Sequence, residues 1–271
     1  MRSASEEKLE NSMIYSVAVT GGDSKTANIA QRHAIRMANL FQAKLRVVVT
    51  WDARNVEEAM DAGAPDDILK ALVDEEMEMV SAEPGASRLR VERSVNGDGL
   101  IKGTLDAANE SDLLVVGLTD QDMDTLSLLR NADCMILAVH QAPVSLRRIL
   151  VDYQGGLEGK AALRMAGEVA SRAGAALTVL CVSGDASVAG ALAATAGRYL
   201  EPYGLIEVGK IEHSGSSTSQ QEAFLAVKAV DADLVVVARE RHGFFTELFD
   251  RATMNPENLA SEMGIPVLIA R

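Results

Sequence analysis

A chain of 271 residues is long enough for one large domain or two of modest size. Hydrophobic residues make up 48% and charged residues 24%, an ordinary globular balance, and a formal net charge of −13 excludes nonspecific affinity for nucleic acid or an anionic membrane surface. Aromatics, at 4%, are too few for a base-stacking platform, and no apolar run approaches the roughly 20 residues needed to span a bilayer.

Residues 1–12 are polar and charged, without the apolar core of a signal peptide, and read as a flexible tail. A first strand is expected over 14–19, ending in Thr20-Gly21-Gly22. A helix follows over 23–41, where Ile29, Ala30, His33, Ala34, Met37, Ala38 and Phe41 recur on one face. A second strand covers 45–51. The stretch 55–80 is helical with a break at Gly63-Ala64-Pro65, since proline lacks a donor and glycine adds flexibility. A strand at 89–95, a helix at 99–110, a strand at 113–117, a short helix at 122–131 and a strand at 134–139 come next.

After a brief linker holding Pro143 the pattern restarts. Strand 149–153 ends in Gln154-Gly155-Gly156, and helix 157–173 is closed by Gly174. Strand 176–182, helix 188–203, strand 206–212, helix 218–230, strand 234–238, a broken helical region 244–263 and a last strand 266–270 complete the chain.

Two runs organise this pattern: Asp112-Leu113-Leu114-Val115-Val116-Gly117 and Asp233-Leu234-Val235-Val236-Val237-Ala238. Each is an uninterrupted aliphatic stretch introduced by an aspartate, the signature of a strand buried on both faces in a parallel sheet covered by helices. Side by side, Val17-Ala18-Val19-Thr20-Gly21-Gly22 aligns with Val151-Asp152-Tyr153-Gln154-Gly155-Gly156. Likewise Ala43-Lys44-Leu45-Arg46-Val47-Val48 aligns with Ala175-Ala176-Leu177-Thr178-Val179-Leu180. The chain therefore reads as a tandem repeat of one α/β domain, 13–141 and 147–271, with parallel strands joined by right-handed crossovers. Cys134 and Cys181 fall inside apolar strand-like runs and read as buried core thiols of a reducing, cytoplasmic compartment.

The layout resembles the universal stress protein family over nearly the whole chain after the tail. That family ends strand one in Val-Pro-Val-Asp-Gly-Ser, writes strand four as Asp-Leu-Ile-Val-Val-Gly and closes with Pro-Val-Leu-Val-Val. Here the last strand is Ile265-Pro266-Val267-Leu268-Ile269-Ala270, and its looser counterpart is Cys134-Met135-Ile136-Leu137-Ala138-Val139. The resemblance implies two open sheets of order 3-2-1-4-5 with helices on both faces, paired through their final strands as a pseudo-dimer. It also implies a ligand crevice beyond the carboxyl ends of strands one and four, where many members hold ATP. The family cradle is Gly, two residues, Gly, nine residues, then Gly-Ser. Glycines let amides approach phosphate, and a helix N-terminus favours the anion.

In the second copy Ala238, Arg239, Glu240 and Arg241 stand where Gly-x-x-Gly is expected, and Arg251-Ala252 replaces Gly-Ser. In the first copy Gly117 is kept, but Asp120 replaces the second glycine, and the following segment is about ten residues shorter than its counterpart. On this alignment the strand-one aspartate is Thr20 in one copy and Gln154 in the other. The crevice positions are then Thr20, Gly21, Gly22, Trp51 and Gly117 in the first copy. In the second they are Gln154, Gly155, Ser183 (the counterpart of Trp51), Ala238, Arg239, Arg241 and Arg251. ATP in the usual mode is not expected, and ATP or AMP fits only a non-standard mode.

Other readings weigh against these. Thr20-Gly21-Gly22-Asp23-Ser24 resembles the loop of ATP pyrophosphatases but is one residue short, and a turn with Asp23 or Ser24 capping the next helix explains it. Gly97-Asp98-Gly99 and Ser214-Gly215-Ser216-Ser217 fit turns and caps as well as a crevice lining. Arg239, Arg241, His242 and Arg251 form either a solvated basic run or an anion clamp. Phe244, Phe245, Leu248 and Phe249 fit core packing or a partner patch. Histidines 33, 140, 213 and 242 lack metal spacing, and no Ser-His-Asp or paired-carboxylate arrangement is recognisable.

The sequence thus predicts a non-enzymatic, cytoplasmic stress-response protein with no resident cofactor or metal. It would bind a protein partner or small effector, form a homodimer and insert in no membrane. The alternatives are a nucleotide-binding stress protein with a remodelled site and a soluble regulatory domain for a membrane transporter.

Overall fold

The computed structural model describes residues 13–21, 24–50, 74, 78, 80–82, 85–96, 100–118, 131–143, 145–183, 185–205, 208–214, 228–239 and 265–271. The chain divides into two compact units, Met1–Gly117 with Asp122–Cys134, and Leu118–Gln121 with Met135–Arg271. The helices expected at 55–80, 122–131, 218–230 and 244–263 lie wholly or largely outside the described residues, as do the phenylalanines of the last one.

In the first unit, strands β1 (Ser16–Thr20), β2 (Lys44–Thr50), β3 (Val91–Asn96) and β4 (Leu113–Gly117) form a parallel sheet of order β3-β2-β1-β4. Leu113, Leu114, Val115 and Val116 are all buried, so both faces of β4 are covered, as an unbroken aliphatic run requires. Helix α1 (Lys25–Phe41) begins at Ser24, whose hydroxyl accepts from the Ala27 amide at 3.0 Å, and buries Ala30, Ala34, Met37, Ala38 and Phe41. Helix α2 (Leu100–Asn109) packs against β1, β2 and β3.

In the second unit, β6 (Arg148–Asp152), β7 (Ala176–Ser183), β8 (Val208–Ser214), β9 (Leu234–Ala238) and β10 (Val267–Ala270) run parallel in the order β8-β7-β6-β9-β10, which is the expected 3-2-1-4-5. Helix α3 (Gly156–Ala173) lies on β6, β9 and β10, and α4 (Ala186–Leu200) on β7 and β8. Where one helix to residue 203 was expected, α4 stops at Leu200 and Glu201–Tyr203 forms a 3₁₀ turn, because Pro202 withholds an amide donor. Strand β5 (Met135–Val139) also belongs to this unit. It pairs antiparallel with β10, Ile136 opposite Ile269 and Ala138 opposite Val267.

The aspartates that introduce β4 and β9 do the same work twice. Asp112 Oδ2 accepts from the backbone amides of Tyr15 (2.8 Å) and Ser16 (3.0 Å) and from the Ser16 hydroxyl (3.0 Å). Asp233 Oδ2 accepts from the amides of Arg147 (2.8 Å) and Arg148 (2.9 Å). Each carboxylate fastens the entry of strand four to the entry of strand one and fixes their register.

Candidate functional site

In a parallel sheet the carboxyl ends of neighbouring strands lie side by side, so the residues just past β1 and β4, and past β6, β7 and β9, gather at one edge of each sheet. The first unit places Thr20 and Gly21 at the end of β1 and Gly117 at the end of β4. Gly22, Asp120 and Trp51 lie outside the described residues, so the described lining is confined to those three. Gly21 donates its amide to Val48 O at 2.8 Å. Gly117 is a glycine for a packing reason: a Cβ there would stand 2.6 Å from Thr26 O and 2.7 Å from Thr26 Cγ2, in the first turns of α1. Its presence is therefore no sign of a phosphate.

The second unit holds the fuller set, and its ladder corrects the alignment of strand one. Val17 pairs with Leu45 and Leu113, whereas Ile149 pairs with Leu177 and Leu234. The structural counterpart of Val17 is thus Ile149, not Val151, and that of Thr20 is Asp152, not Gln154. The amide bonds agree, with Gly21 donating to Val48 O and Tyr153 to Leu180 O. Gly155 and Gly156 stand where Asp23 and Ser24 stand in the first repeat. An aspartate, Asp152, therefore ends β6 at the register position where Thr20 ends β1. Ile149-Leu150-Val151-Asp152 held that signal, but matching one glycine pair to another obscured it.

Asp152 is only 7% exposed, and its Oδ2 accepts from Gln154 Nε2 at 3.0 Å. Gln154 itself is exposed. Tyr153 is 2% exposed, with its ring against Gly159 of α3, where a Cβ would come within 3.2 Å. Burial pushes the Tyr153 phenol up from its ordinary value, with smaller pushes from Cys181 and Tyr199. Gly155 has φ +91° and ψ −158°, a backbone state open to glycine alone, and this bends the chain from the end of β6 into α3.

Ser183 closes β7, and its hydroxyl accepts from the Asp185 amide at 3.2 Å. Asp185 then caps α4 by accepting from Ser187 N at 2.7 Å. Ala238 ends β9, and Arg239 gives its amide to Ala270 O at 3.0 Å. Leu118, the counterpart of Arg239, likewise donates to Val139 O at 2.8 Å. In both repeats the first amide past strand four is spent on the final strand. Arg241, His242 and Arg251 lie outside the described residues.

These side chains can accept and donate hydrogen bonds around one buried carboxylate. Among the described residues no group of three His, Cys, Asp or Glu could hold a metal ion. Cys134 and Cys181 are buried and unbridged. The ring of His140 meets Leu118 O at 3.4 Å, and His33 is buried in α1. No described helix is long and apolar enough to cross a membrane.

A scan against protein-family models finds no match, and a search of curated proteins finds none either. Solved structures do match along the full length. A universal stress protein from Archaeoglobus fulgidus DSM 4304 superposes with a TM-score of 0.73 at 14% identity, covering 96% of this chain and 98% of that one. A functionally unknown protein from Pseudomonas aeruginosa PAO1 gives 0.57 at 17% identity, with 95% and 92% covered. The cytoplasmic domain of a prokaryotic cation chloride cotransporter gives 0.56 at 12% identity, with 95% of each chain covered. At these identities the likeness is one of fold.

Proposed function

We propose that this chain, which carries the universal stress protein fold along its length, is a tandem member of that family acting by binding rather than catalysis. Its partner is a protein or a small effector in the cytoplasm, and neither crevice takes ATP in the family's usual way. The observation that carries this reading is the state of the strand-four ends. Leu118 and Arg239 spend their amides on the final strands, and Gly117 lies so close to Thr26 that its lack of a side chain has a packing cause. Hydrogen bonds to a charged group contribute about 1.5–3 kcal/mol each, so losing two or three weakens a phosphate site by roughly two to five orders of magnitude. Calorimetry of the purified chain with ATP and with AMP is expected to show no micromolar binding; a micromolar Kd for ATP would overturn the reading. If a nucleoside-like ligand is found instead, Asp152→Asn should weaken it, because only the second repeat ends its first strand in a carboxylate.

The full-length likeness to a cotransporter cytoplasmic domain favours a second reading, a regulatory module that docks on a membrane transporter. Co-purification with a transporter encoded beside its gene would support that role. Failure of the two to associate when co-expressed would remove it.

A further inference from the structure

Helix α4 buries Ala189, Ala193, Ala196 and Leu200 on β7 and β8. Its other side is unusual for a solvent face. Val188 and Tyr199 are 46% and 40% exposed, two of the four large apolar side chains found exposed among the described residues. Ala191 and Ala194 lie between them, also exposed. Thr195 turns its hydroxyl onto Ala191 O at 2.8 Å, which satisfies its polar group within the helix. From Ala186 to Leu200 there is no acidic residue, in a chain whose net charge is −13.

The charges that flank this face are placed symmetrically. Asp185 lies seven residues before Leu192 and Arg198 six after it, so each sits about 10 Å from that point at a rise of about 1.5 Å per residue. Both are exposed, and hydrogen bonds from Ser187 hold the Asp185 carboxyl below the usual carboxylate range. An antiparallel copy of the same helix, related by a two-fold axis near Leu192, would bring each Arg198 to the partner's Asp185. Small alanines at the centre allow close approach of the axes, and no carboxylate opposes another along the face. Asp185 caps the helix and Arg198 lies in its last turn, and this same placement makes the face complementary to an antiparallel copy of itself.

We propose that the exposed face of α4 is a self-association surface through which two copies of this chain pair about a two-fold axis, with Arg198 of each copy meeting Asp185 of the other. Sedimentation equilibrium of the full chain across micromolar concentrations should show a reversible dimer. Ala191→Glu leaves a solvent position filled by a good helix former, yet sets two carboxylates together at the axis. It should raise the dissociation constant about a hundredfold, a factor of about ten for each symmetry-related position. Arg198→Glu and Asp185→Lys should each be monomeric alone and should pair when mixed, because the mixed dimer restores both opposite-charge contacts. Circular dichroism of each variant checks that α4 is intact, above all for Asp185→Lys, which removes the cap. A monomer at every concentration overturns the proposal, and so does a dimer that Ala191→Glu leaves unchanged.

Discussion

Removing the Asp112 carboxylate should destabilise the first unit more than the matching change destabilises the second. In Asp112→Ala three donors lose their acceptor at once. The Ser16 amide is part-buried and loses a charge-assisted bond worth about 1.5 kcal/mol. The Tyr15 amide is exposed, so water replaces most of its bond and about 0.5 kcal/mol is lost. The Ser16 hydroxyl can rotate to another acceptor, for a further loss of about 0.5 kcal/mol. The total is about 2–3 kcal/mol. Among the described residues Asp233 serves two amides, both exposed, and its contact with the Arg148 guanidinium is long at 3.9 Å, so Asp233→Ala should cost about 1 kcal/mol. Asp112→Asn keeps an acceptor without the charge and should fall between the Asp112→Ala variant and the unmodified chain. Urea denaturation followed by circular dichroism gives all three values. A cost below about 0.5 kcal/mol for Asp112→Ala, or a larger cost for Asp233→Ala, would refute the idea that these carboxylates clamp strand entries in proportion to their buried donors.

Gly155→Ala forces a side chain into a glycine-only backbone state and brings a Cβ within 3.3 Å of Leu192 Cδ2, so a loss of about 2 kcal/mol is expected in the same assay. Gly174→Ala, at φ +64° with nothing within 4 Å, should cost only about 1 kcal/mol. Because burial raises the Tyr153 pKa above 10.0, the folded chain holds that proton more tightly than the unfolded one. Its contribution is complete below about pH 10 and is lost as the pH climbs through the raised value. Tyr153→Phe should therefore flatten the decline of stability measured above pH 10. The Tyr203 phenol, raised by burial as well, leaves a residual slope.

The strands were the most legible part of the chain, and the reason is visible in β4 and β9. Their bounds, Leu113–Gly117 and Leu234–Ala238, match expectation to the residue because a fully buried parallel strand admits no polar side chain, so its ends are written in composition. The expected start of β8 at residue 206 lies outside the described residues, and the strand runs on from Val208 to Ser214, past the expected end at 212. The site was less legible. Which residue ends strand one depends on the hydrogen-bond ladder, and the double glycines at Gly21-Gly22 and Gly155-Gly156 suggested a pairing that the ladder sets two residues away. Asp152 was missed for that reason alone. The roles of Asp112 and Asp233 were hidden too, because their donors lie 97 and 86 residues away in sequence.

The antiparallel pairing of β5 with β10 also bears on how this chain could be divided. A fragment of residues 147–271 would contain a whole five-strand order, yet Val267–Ala270, buried in the intact chain, would lose the strand along its outer edge. A bare aliphatic edge of that kind is a template for aggregation. The smallest portable piece around β10 accordingly includes Met135–Val139, and cutting the chain at residue 147 would give a second fragment more prone to aggregate than the intact chain.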